Sequence, residues 1–561
     1  MKISGFLLFV FMLLISCQGK SIEQEPVIDP SGTEDPKITA IQIDGFSCSF
    51  YGQTFSVELF ANSVVDIKSV KMEQINFSTN NSKVKITPSG PFNFETANNK
   101  TITLTAELNG KISTYNLQVL KRKTDFSTWI MIWNGSSEGW WKSDSYNGVQ
   151  LWINEKWQSV NWQSDEQTTN MVNTLKSAGI NVIICDLTNV WPKFHPRVNF
   201  ILKLCAQNGM KACIADMTPN GDLVTLEARA KSVYDNFAGP DAPYASAYFK
   251  KDGKPLIVEY IPRPYYNKYL NSTGEYRSKF TLANAGGENE TYPDRWGWQY
   301  EFANGLVPSD DAMFVSSSTK YYPKINGVWT CWRKHLACLD FNFALARRKS
   351  PKNVIVGSFD DVHERNSWIM MRSANADERG MQTRNIFGVT DSVVYYNRVV
   401  EWINGTPSFI PGGDVADGAY RIGSWDNRQV EVKDQIGTLG QKLLIAAKAN
   451  TRKALFYFYH LGNNEYRIVS LMAGLSVEPG SDDILSQEWD NSLDTQRWIV
   501  EKVQGGKFRL KNKATQKYMG IKSLTGSDYF VWQEQFTKDN PNQEWILEPG
   551  LTLSGQGFMA P

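Results

Sequence analysis

The feature that most constrains the fold is the alternation of strand-like and helical segments over residues 124–410. Apolar runs such as INVIICDLT and NVIVGSF alternate with segments such as DEQTTNMVNTLKSAG, which begins with acidic residues and stops at glycine as helices do. The strand-like runs are apolar without interruption, which is typical of strands buried on both faces of a parallel sheet. We count eight such strands, the last being SVVYYN, and they predict a (β/α)8 TIM barrel. An open doubly wound sheet is the competing arrangement, but no glycine-rich phosphate fingerprint follows the first strand.

The region before the barrel is predicted to be all-β. Residues 37–122 contain short alternating or β-branched runs, such as QTFSVELFA and KTITLTAEL, separated by Gly and Asn turns. This pattern favours an immunoglobulin-like β-sandwich. Because this region has no clustered pair of acidic residues, we expect it to act as a spacer rather than to bind glycans.

The region after the barrel, residues 415–548, shows a weak repeat of 40–50 residues. The segments DTQRW and NPNQEW both end in Gln-x-Trp, at Trp498 and Trp545. This repeat resembles the ricin-type β-trefoil, which implies that the two tryptophans belong to the core and that the domain binds carbohydrate. The candidate sugar-binding residues are Asp490 in one repeat and Asp528 with Tyr529 or Trp532 in another. The fold class predicted for the whole chain is therefore a multidomain α/β plus all-β protein.

The N-terminus resembles a bacterial lipoprotein signal. MKIS carries a positive charge, GFLLFVFMLLIS is too short to span a membrane comfortably, and LISC ends at Cys17. The resemblance implies a signal peptide over residues 1–17, lipidation of Cys17 and an acidic tether over residues 18–36. Acidic residues directly after the cysteine resemble surface-export signals of Bacteroidetes-type lipoproteins. We therefore expect a protein anchored by lipid to the bacterial outer membrane and exposed at the cell surface.

Composition narrows the choice of partner and cofactor. The formal net charge of +1 gives no electrostatic basis for binding nucleic acid. Only four histidines occur, and no Cys-x-x-Cys pair, so a zinc site is not expected and no cofactor is predicted. Aromatic residues make up 13% of the chain, and exposed aromatic rings stack on sugars, although large β-rich proteins also use them in their cores.

Polar and acidic residues follow most of the predicted barrel strands. Because the carboxyl ends of barrel strands meet at one mouth, we expect these groups to surround a substrate, with loop aromatics forming the walls. A polysaccharide or oligosaccharide is the predicted ligand. The predicted substrate-binding residues are Asp186, Asp216, Glu259, Asp360, His363, Trp191, Tyr265, Trp296 and Trp329.

The densest group of charges is GSFDDVHERNSW at residues 357–368. Glycoside hydrolysis needs two carboxyl groups of different protonation, and crowding acids together separates their pKa values. The order of DMT, GKPLIVEY and SFDDVHE resembles glycoside hydrolase families 71 and 99, which act on α-linked glucan or mannan. The resemblance implies an endo-acting enzyme with Asp361 and Glu364 as the catalytic acids. Phe359, Asp360 and Arg365 depart from the family pattern.

Other interpretations of these residues stay open. Asp360 could cap a following helix, and His363 and Arg365 could form surface ion pairs with the acids. A Ca²⁺ or Mg²⁺ site built from Asp360, Asp361 and Asp216 lacks a spaced motif. At the level of function, the alternatives to the hydrolase are a non-catalytic glycan-binding lipoprotein with a degenerate barrel and a structural adhesin.

Overall fold

A computed structural model describes the chain between residues 35 and 552 and divides it into three regions. These are an N-terminal unit (38–122), a central domain (125–405) and a C-terminal domain (418–552). The longer gaps in the described chain are 96–100, 134–149, 217–221, 286–295, 297–311, 316–335, 361–367, 373–382, 434–439 and 524–528. Shorter gaps fall at 44–45, 61–62, 64, 154–155, 159, 189–191, 261–262, 350, 369–370, 406, 408, 450, 473 and 489.

The N-terminal unit is built from two sheets that share one apolar core. One sheet has the strand order β2-β1-β5 and the other β3-β4-β8-β7-β6, with β4 parallel to β8. Alternation places every second side chain of these strands in the core, as in TITLTAEL of β7, where Leu104, Ala106 and Leu108 are buried. The strands are β1 (Ile38–Ile43), β2 (Phe46–Ser47), β3 (Ser49–Tyr51), β4 (Thr54–Phe60), β5 (Ile75–Thr79), β6 (Lys85–Thr87), β7 (Thr101–Leu108) and β8 (Lys111–Arg122).

The central domain is organised around a parallel sheet with the strand order β16-β15-β13-β12-β9-β18-β17. The short strand β14 lies antiparallel to β15, and β10, β11 and β19 form a small separate sheet. The strands are β9 (Asp125–Ile130), β10 (Gln150–Ile153), β11 (Lys156–Gln158), β12 (Val182–Asp186), β13 (Lys211–Asp216), β14 (Lys250–Lys251), β15 (Lys254–Glu259), β16 (Thr281–Asn284), β17 (Ala312–Val315), β18 (Asn353–Ser358) and β19 (Met371–Arg372).

Helices of the central domain begin and end where their sequences provide caps. The Ser164 side chain accepts from the backbone N–H of Gln167 at the start of α1, and Asp222 accepts from Val224 and Thr225 at the start of α3. No helix in the described part of the chain is long and apolar enough to cross a membrane. The helices are α1 (Asp165–Ser177), α2 (His195–Asn208), α3 (Leu223–Val233), α4 (Tyr266–Leu270), α5 (Leu336–Lys349) and α6 (Val394–Asn404).

The predicted (β/α)8 barrel is wrong. Within the described residues the sheet has seven parallel strands, and no pairing joins β16 to β17 to close it. The segment SVVYYN, counted as the eighth strand, runs into α6 instead. Its buried residues Val394, Tyr395, Arg398, Val399 and Trp402 recur with the period of a helix, so packing overrides the strand preference of Val and Tyr. Within the described residues, strand is also the commoner state, at 41% against 24% helix.

The C-terminal domain is a β-trefoil, as its Gln-x-Trp repeat predicts. Six strands close a barrel in the order β20-β23-β24-β27-β28-β31, and the bridge between Phe508 and Trp545 joins β28 to β31. Three hairpins, β21–β22, β25–β26 and β29–β30, form the cap. The strands are β20 (Gly418–Gly423), β21 (Arg428–Val432), β22 (Gln441–Ala447), β23 (Leu455–Gly462), β24 (Glu465–Ser470), β25 (Leu475–Pro479), β26 (Leu485–Glu488), β27 (Arg497–Lys502), β28 (Phe508–Asn512), β29 (Tyr518–Ser523), β30 (Tyr529–Glu534) and β31 (Ile546–Thr552).

The Gln-x-Trp residues of the trefoil are structural. Trp498 and Trp545 are fully buried, and each indole N–H donates to a backbone carbonyl, that of Val477 and Met519 respectively. The glutamine two positions before Trp545 fixes the nearby loop. The Gln543 side chain accepts from Thr537 N–H and donates to the Gln535 carbonyl. In this motif the tryptophan ring fills the core and the glutamine side chain holds the loop in place, which explains why the two residues are two positions apart.

The trefoil packs directly on the central domain through a buried polar network. Asp340 of α5 is fully buried and accepts from the Trp402 indole at 2.7 Å and from the Tyr459 hydroxyl of β23 at 2.6 Å. The Arg398 guanidinium of α6 lies 3.3 Å from the same carboxylate. Tyr459 and Leu471 of the trefoil belong to the same apolar cluster as the parallel sheet. The trefoil therefore keeps a separate core of its own and contributes a few residues at the interface to the core of the central domain.

Candidate functional site

Three of the predicted substrate-binding acids lie at the carboxyl ends of parallel strands. Asp186 ends β12, Asp216 ends β13 and Glu259 ends β15, with exposed fractions of 3%, 2% and 1%. The carboxyl edge of an open parallel sheet is where such folds bind ligands. The position along the strands therefore agrees with the sequence expectation, but the side chains are almost completely buried.

Strand register divides these acids between two faces of the sheet. Asp216 is paired with Glu259, and Glu259 with Asn284, so the three side chains share one face. Asp186 is paired with Ala215, the neighbour of Asp216, and so belongs to the opposite face. The structure thus brings Asp216, Glu259 and Asn284 together and separates Asp186 from them.

An arginine of the protein itself pairs with Asp216 in this row. The Arg229 guanidinium of α3 lies 2.6 Å from the Asp216 carboxylate, so this row faces the layer that contains α3. Burial lowers the pKa of Arg277, while the nearby carboxylates of Glu227 and Glu259 act in the opposite direction. The Arg229 contact stabilises the buried charge of Asp216.

Asp360 is held rigidly just beyond the end of β18. Its carboxylate accepts from the Met131 backbone N–H at 2.9 Å and from the Trp162 indole N–H at 2.6 Å, and the residue is fully buried. Two hydrogen bonds to a buried carboxylate fix the backbone at this point. The chain that follows therefore starts from a defined position at the carboxyl edge of the sheet.

Several predicted site residues lie outside the described residues. They are the two catalytic acids Asp361 and Glu364, together with His363, Trp191, Trp329, the lipidation residue Cys17 and the trefoil residue Asp528. Of the predicted aromatics that the structure does describe, Trp296 is fully buried, and its carbonyl accepts from the Trp129 indole. Tyr265 is half-buried in a 3₁₀ turn, Arg263–Tyr265. Among the residues that are described, no group of three metal-ligating side chains occurs.

In the trefoil, the candidate sugar-binding residue Asp490 is already paired with other side chains of the protein. It is 2% exposed and pairs with Arg467 at 3.5 Å, and the Ser476 hydroxyl donates to it. Arg467 is fully buried and also donates to the Ile386 carbonyl of the central domain at 2.9 Å. Asp490 therefore anchors the domain interface and is not positioned to bind an external sugar.

Sequence analysis predicts only Tyr529 of an exposed aromatic site on the trefoil, which we call the Trp425 face (Trp425, Asp426, Arg428, Tyr529 and Asn542). The Trp425 side chain is 53% exposed, and its indole N–H donates to the Asn542 side chain at 3.0 Å. The Arg428 guanidinium lies 2.7 Å from the Asp426 carboxylate and 4.4 Å from the centre of the Tyr529 ring, which is itself 36% exposed. The available signal was a tryptophan within the polar turn SWDN between two strands.

Asp426 of this face is held in its charged form. Burial raises the pKa of the carboxyl group, but hydrogen bonds from Arg428 and Ser424 outweigh burial and bring the pKa below its ordinary value. The carboxylate is therefore an acceptor at neutral pH. An exposed indole fixed in one orientation, next to an ionised carboxylate and a guanidinium, has the groups needed to bind a polar ring with an apolar face.

Comparison with known proteins gives similarities to solved structures only: no family model and no curated protein matches the chain. A designed threefold-symmetric protein has 17% identity and a TM-score of 0.22, over 23% of this chain and 98% of its own. A Polyporus squamosus lectin bound to an influenza-binding epitope has 17% identity and a TM-score of 0.22, over 24% of this chain and 50% of its own. An exo-β-1,3-galactanase from Clostridium thermocellum has 17% identity and a TM-score of 0.22, over 25% and 31%. The chain thus spans half or less of the lectin and of the galactanase.

Proposed function

We propose that this protein is a cell-surface lipoprotein that binds glycans, and that the Trp425 face of its trefoil is a binding site. The observation that carries the proposal is the Trp425 indole, which is 53% exposed and yet fixed through its N–H to Asn542. A sugar ring presents an apolar face to such an indole and hydroxyl groups to the neighbouring carboxylate and guanidinium. The side chain is already oriented, so little conformational entropy is lost when it binds.

The test is binding of soluble α-glucans, α-mannans and host-type glycans by the full chain and by the Trp425→Ala variant. Burying the exposed half of a tryptophan ring contributes about 1–2 kcal/mol, so the variant is expected to bind about 5- to 30-fold more weakly. Phe536→Ala is the matched control, because Phe536 is 48% exposed and the Arg509 guanidinium lies 5.0 Å from its ring centre. Equal binding by Trp425→Ala and the wild type would refute the assignment.

A second proposed function is glycoside hydrolysis by Asp361 and Glu364. Its support is the resemblance of SFDDVHE to glycoside hydrolase families 71 and 99, and the fixed position of Asp360 directly before the pair. One carboxylic acid would donate its proton to the leaving oxygen of an α-linked glucan or mannan. The other, ionised, would act as base or nucleophile on the opposite side of the sugar ring. The alternative is a central domain that holds glycan without cleaving it.

The release of reducing ends from the same glycans distinguishes these two activities. Asp361→Asn and Glu364→Gln are expected to lower the rate at least about 100-fold while glycan binding persists. Asp186→Asn is a useful comparison, because Asp186 lies on the opposite face of the sheet from Asp216. Full activity in both acid variants would exclude the hydrolase assignment, and absence of product from every glycan would favour the binding role.

Lipid anchoring at Cys17 is the third part of the proposal, supported by the apolar run that ends in LISC. Expression of Cys17→Ser in a bacterial host is expected to move the protein out of the membrane fraction. Metabolic labelling with an acyl donor checks the same residue directly. Unchanged labelling of the variant would disprove anchoring at Cys17.

A further inference from the structure

An exposed apolar side chain lies on the strand segment that the Trp425 ring contacts. The indole N–H of Trp425 donates to Asn542, four residues before Ile546, so the ring leans toward the start of β31. The Ile546 side chain is 38% exposed, whereas the next residue, Leu547, belongs to the core of the trefoil. Ile546 is therefore an apolar side chain of the outer surface of the trefoil.

Strand register limits the distance between Ile546 and Trp425. Ile546 is paired with Gly423 in the antiparallel pair of β20 and β31, and paired residues have Cα atoms about 4.5–5.5 Å apart. Trp425 follows Gly423 by two residues, so their Cα atoms are at most about 7 Å apart. The Cα atoms of Trp425 and Ile546 are therefore within about 12 Å of each other, with Gly423 between them.

Neither the backbone conformation nor crowding requires the glycine at position 423. The φ of Gly423 lies outside the left-handed region, so a residue with a side chain could adopt the same conformation. A Cβ added to Gly423 would meet its nearest atoms at 3.5–3.8 Å, which is ordinary van der Waals contact. The Gly423 backbone is buried between its neighbouring strands, but no side chain projects from it toward solvent. A glycine in a strand often marks a place that a ligand approaches closely.

Charged groups lie next to Ile546 on the same face of β31. Glu548 shares this face because side chains alternate along a strand, and its carboxylate accepts from the Arg421 guanidinium at 2.8 Å and from the Lys448 ammonium group. Burial raises the pKa of Glu548, but these two hydrogen bonds outweigh burial and bring the pKa below its ordinary value. The Glu548 and Lys448 side chains are 29% and 36% exposed. Groups that bind hydroxyls therefore lie beside an apolar side chain, as they do beside the indole.

We propose that Ile546, with Glu548 and Lys448, forms a second subsite, so that the trefoil binds two consecutive sugar units of a linear glycan. One pyranose ring would stack on the Trp425 indole, and the next would contact Ile546 across the surface that Gly423 leaves free of a side chain. The ligand class is a linear oligosaccharide or polysaccharide of at least two pyranose units. The inference rests on the proposed glycan binding at the Trp425 face.

The experiment measures the affinity of the full chain for linear α-gluco-oligosaccharides and α-manno-oligosaccharides of one to six units, by isothermal titration calorimetry. In at least one of the two series, the wild type is expected to bind the disaccharide about tenfold more tightly than the monosaccharide. Units beyond the second should add little, because they lie outside both subsites.

Two substitutions remove the second subsite by different means. Ile546→Ser should lower the affinity for the disaccharide about fivefold and leave that for the monosaccharide unchanged, since only the second unit contacts Ile546. Gly423→Gln should do the same by placing a side chain between the two rings, and Gly423→Ala, whose Cβ meets no atom closer than 3.5 Å, is its matched control. Leu493→Ser, at a trefoil residue that is 60% exposed, controls for the loss of exposed apolar surface. Circular dichroism and urea unfolding should show that all four variants fold.

The outcomes separate the second subsite from the proposed function. Equal affinity of the wild type for monosaccharide and disaccharide in both series would overturn the second subsite. Unchanged binding of the disaccharide by both Ile546→Ser and Gly423→Gln, or an equal loss in Leu493→Ser, would also overturn it. If Trp425→Ala then weakens binding equally at every chain length, glycan binding at the Trp425 face still stands. If the wild type binds no sugar of any length, both proposals are refuted.

Discussion

The hydrogen bond from Tyr459 to Asp340 provides a direct test of the interface between the central domain and the trefoil. In Tyr459→Phe, the buried carboxylate loses one of two short hydrogen bonds and keeps Trp402 and Arg398 as partners. A hydrogen bond to a charged group contributes about 1.5–3 kcal/mol, so the free energy of unfolding should fall by about that amount. The matched control is Tyr457→Phe, since the Tyr457 hydroxyl is buried and has no hydrogen-bond partner within the described residues. That change should cost less than about 0.5 kcal/mol.

The assay is urea unfolding of the full chain followed by tryptophan fluorescence. Asp340→Asn should lower the free energy of unfolding by about 3–5 kcal/mol, because it removes the buried charged partner of Arg398 and leaves only Glu401, whose side chain is 47% exposed. In that background Tyr459→Phe should cost much less than it does alone, since the two residues interact. Equal effects of Tyr459→Phe and Tyr457→Phe would refute the reasoning, as would additive effects in the double variant.

Four other substitutions test the trefoil and its contacts. Burial raises the pKa of Asp417 to about 7, above its unfolded value, so this group favours the folded state at low pH and its contribution is lost as pH rises from about 4 through 7. The wild type should therefore lose about 3 kcal/mol of stability between pH 5 and pH 8, and Asp417→Asn should remove this loss, as measured by urea unfolding at both pH values. Gly388→Ala should lower the free energy of unfolding by more than about 2 kcal/mol, because a Cβ would lie 1.9 Å from the Asn491 carbonyl oxygen. Gly412→Ala is its control: the added Cβ meets no atom within 4 Å, so the change should cost only backbone strain of about 1 kcal/mol. Trp498→Ala should cost about 3–5 kcal/mol in the same urea assay, and a value below 1 would contradict its core position.

Sequence patterns were most informative where the signal is local. The Gln-x-Trp spacing predicted the trefoil and the core position of Trp498, because one short motif contains both the tryptophan of the core and the glutamine that fixes the neighbouring loop. Uninterrupted apolar runs predicted the parallel strands, but this signal is the same for open and closed sheets. The segment SVVYYN was misassigned because Val and Tyr favour strands. The helical spacing of its buried residues becomes visible only when the whole of α6 is considered.

Long-range contacts decided which candidate residues are available to a ligand. The pairing of Asp490 with Arg467 and of Asp216 with Arg229 depends on elements that fold against each other, and no spacing in the sequence encodes it. The same is true of the separation of Asp186 from Asp216, which follows from strand register. The Trp425 face depends on exposure, which a tryptophan in a β-rich sequence does not indicate.

The Arg467 contact has a consequence for how many ligands the trefoil engages at once. Arg467 joins the second repeat to the Ile386 carbonyl, and Gly388 packs against the Asn491 backbone of the same repeat, so this face is covered by the central domain. Threefold symmetry is thereby reduced to two outward-facing repeats. The Trp425 face draws its residues from both of these repeats, so it is a single contact surface, and the proposed glycan binding there would gain no avidity from a densely displayed ligand. The strength of the proposed attachment to a polysaccharide would therefore depend on the identity of its sugar units and not on their spacing.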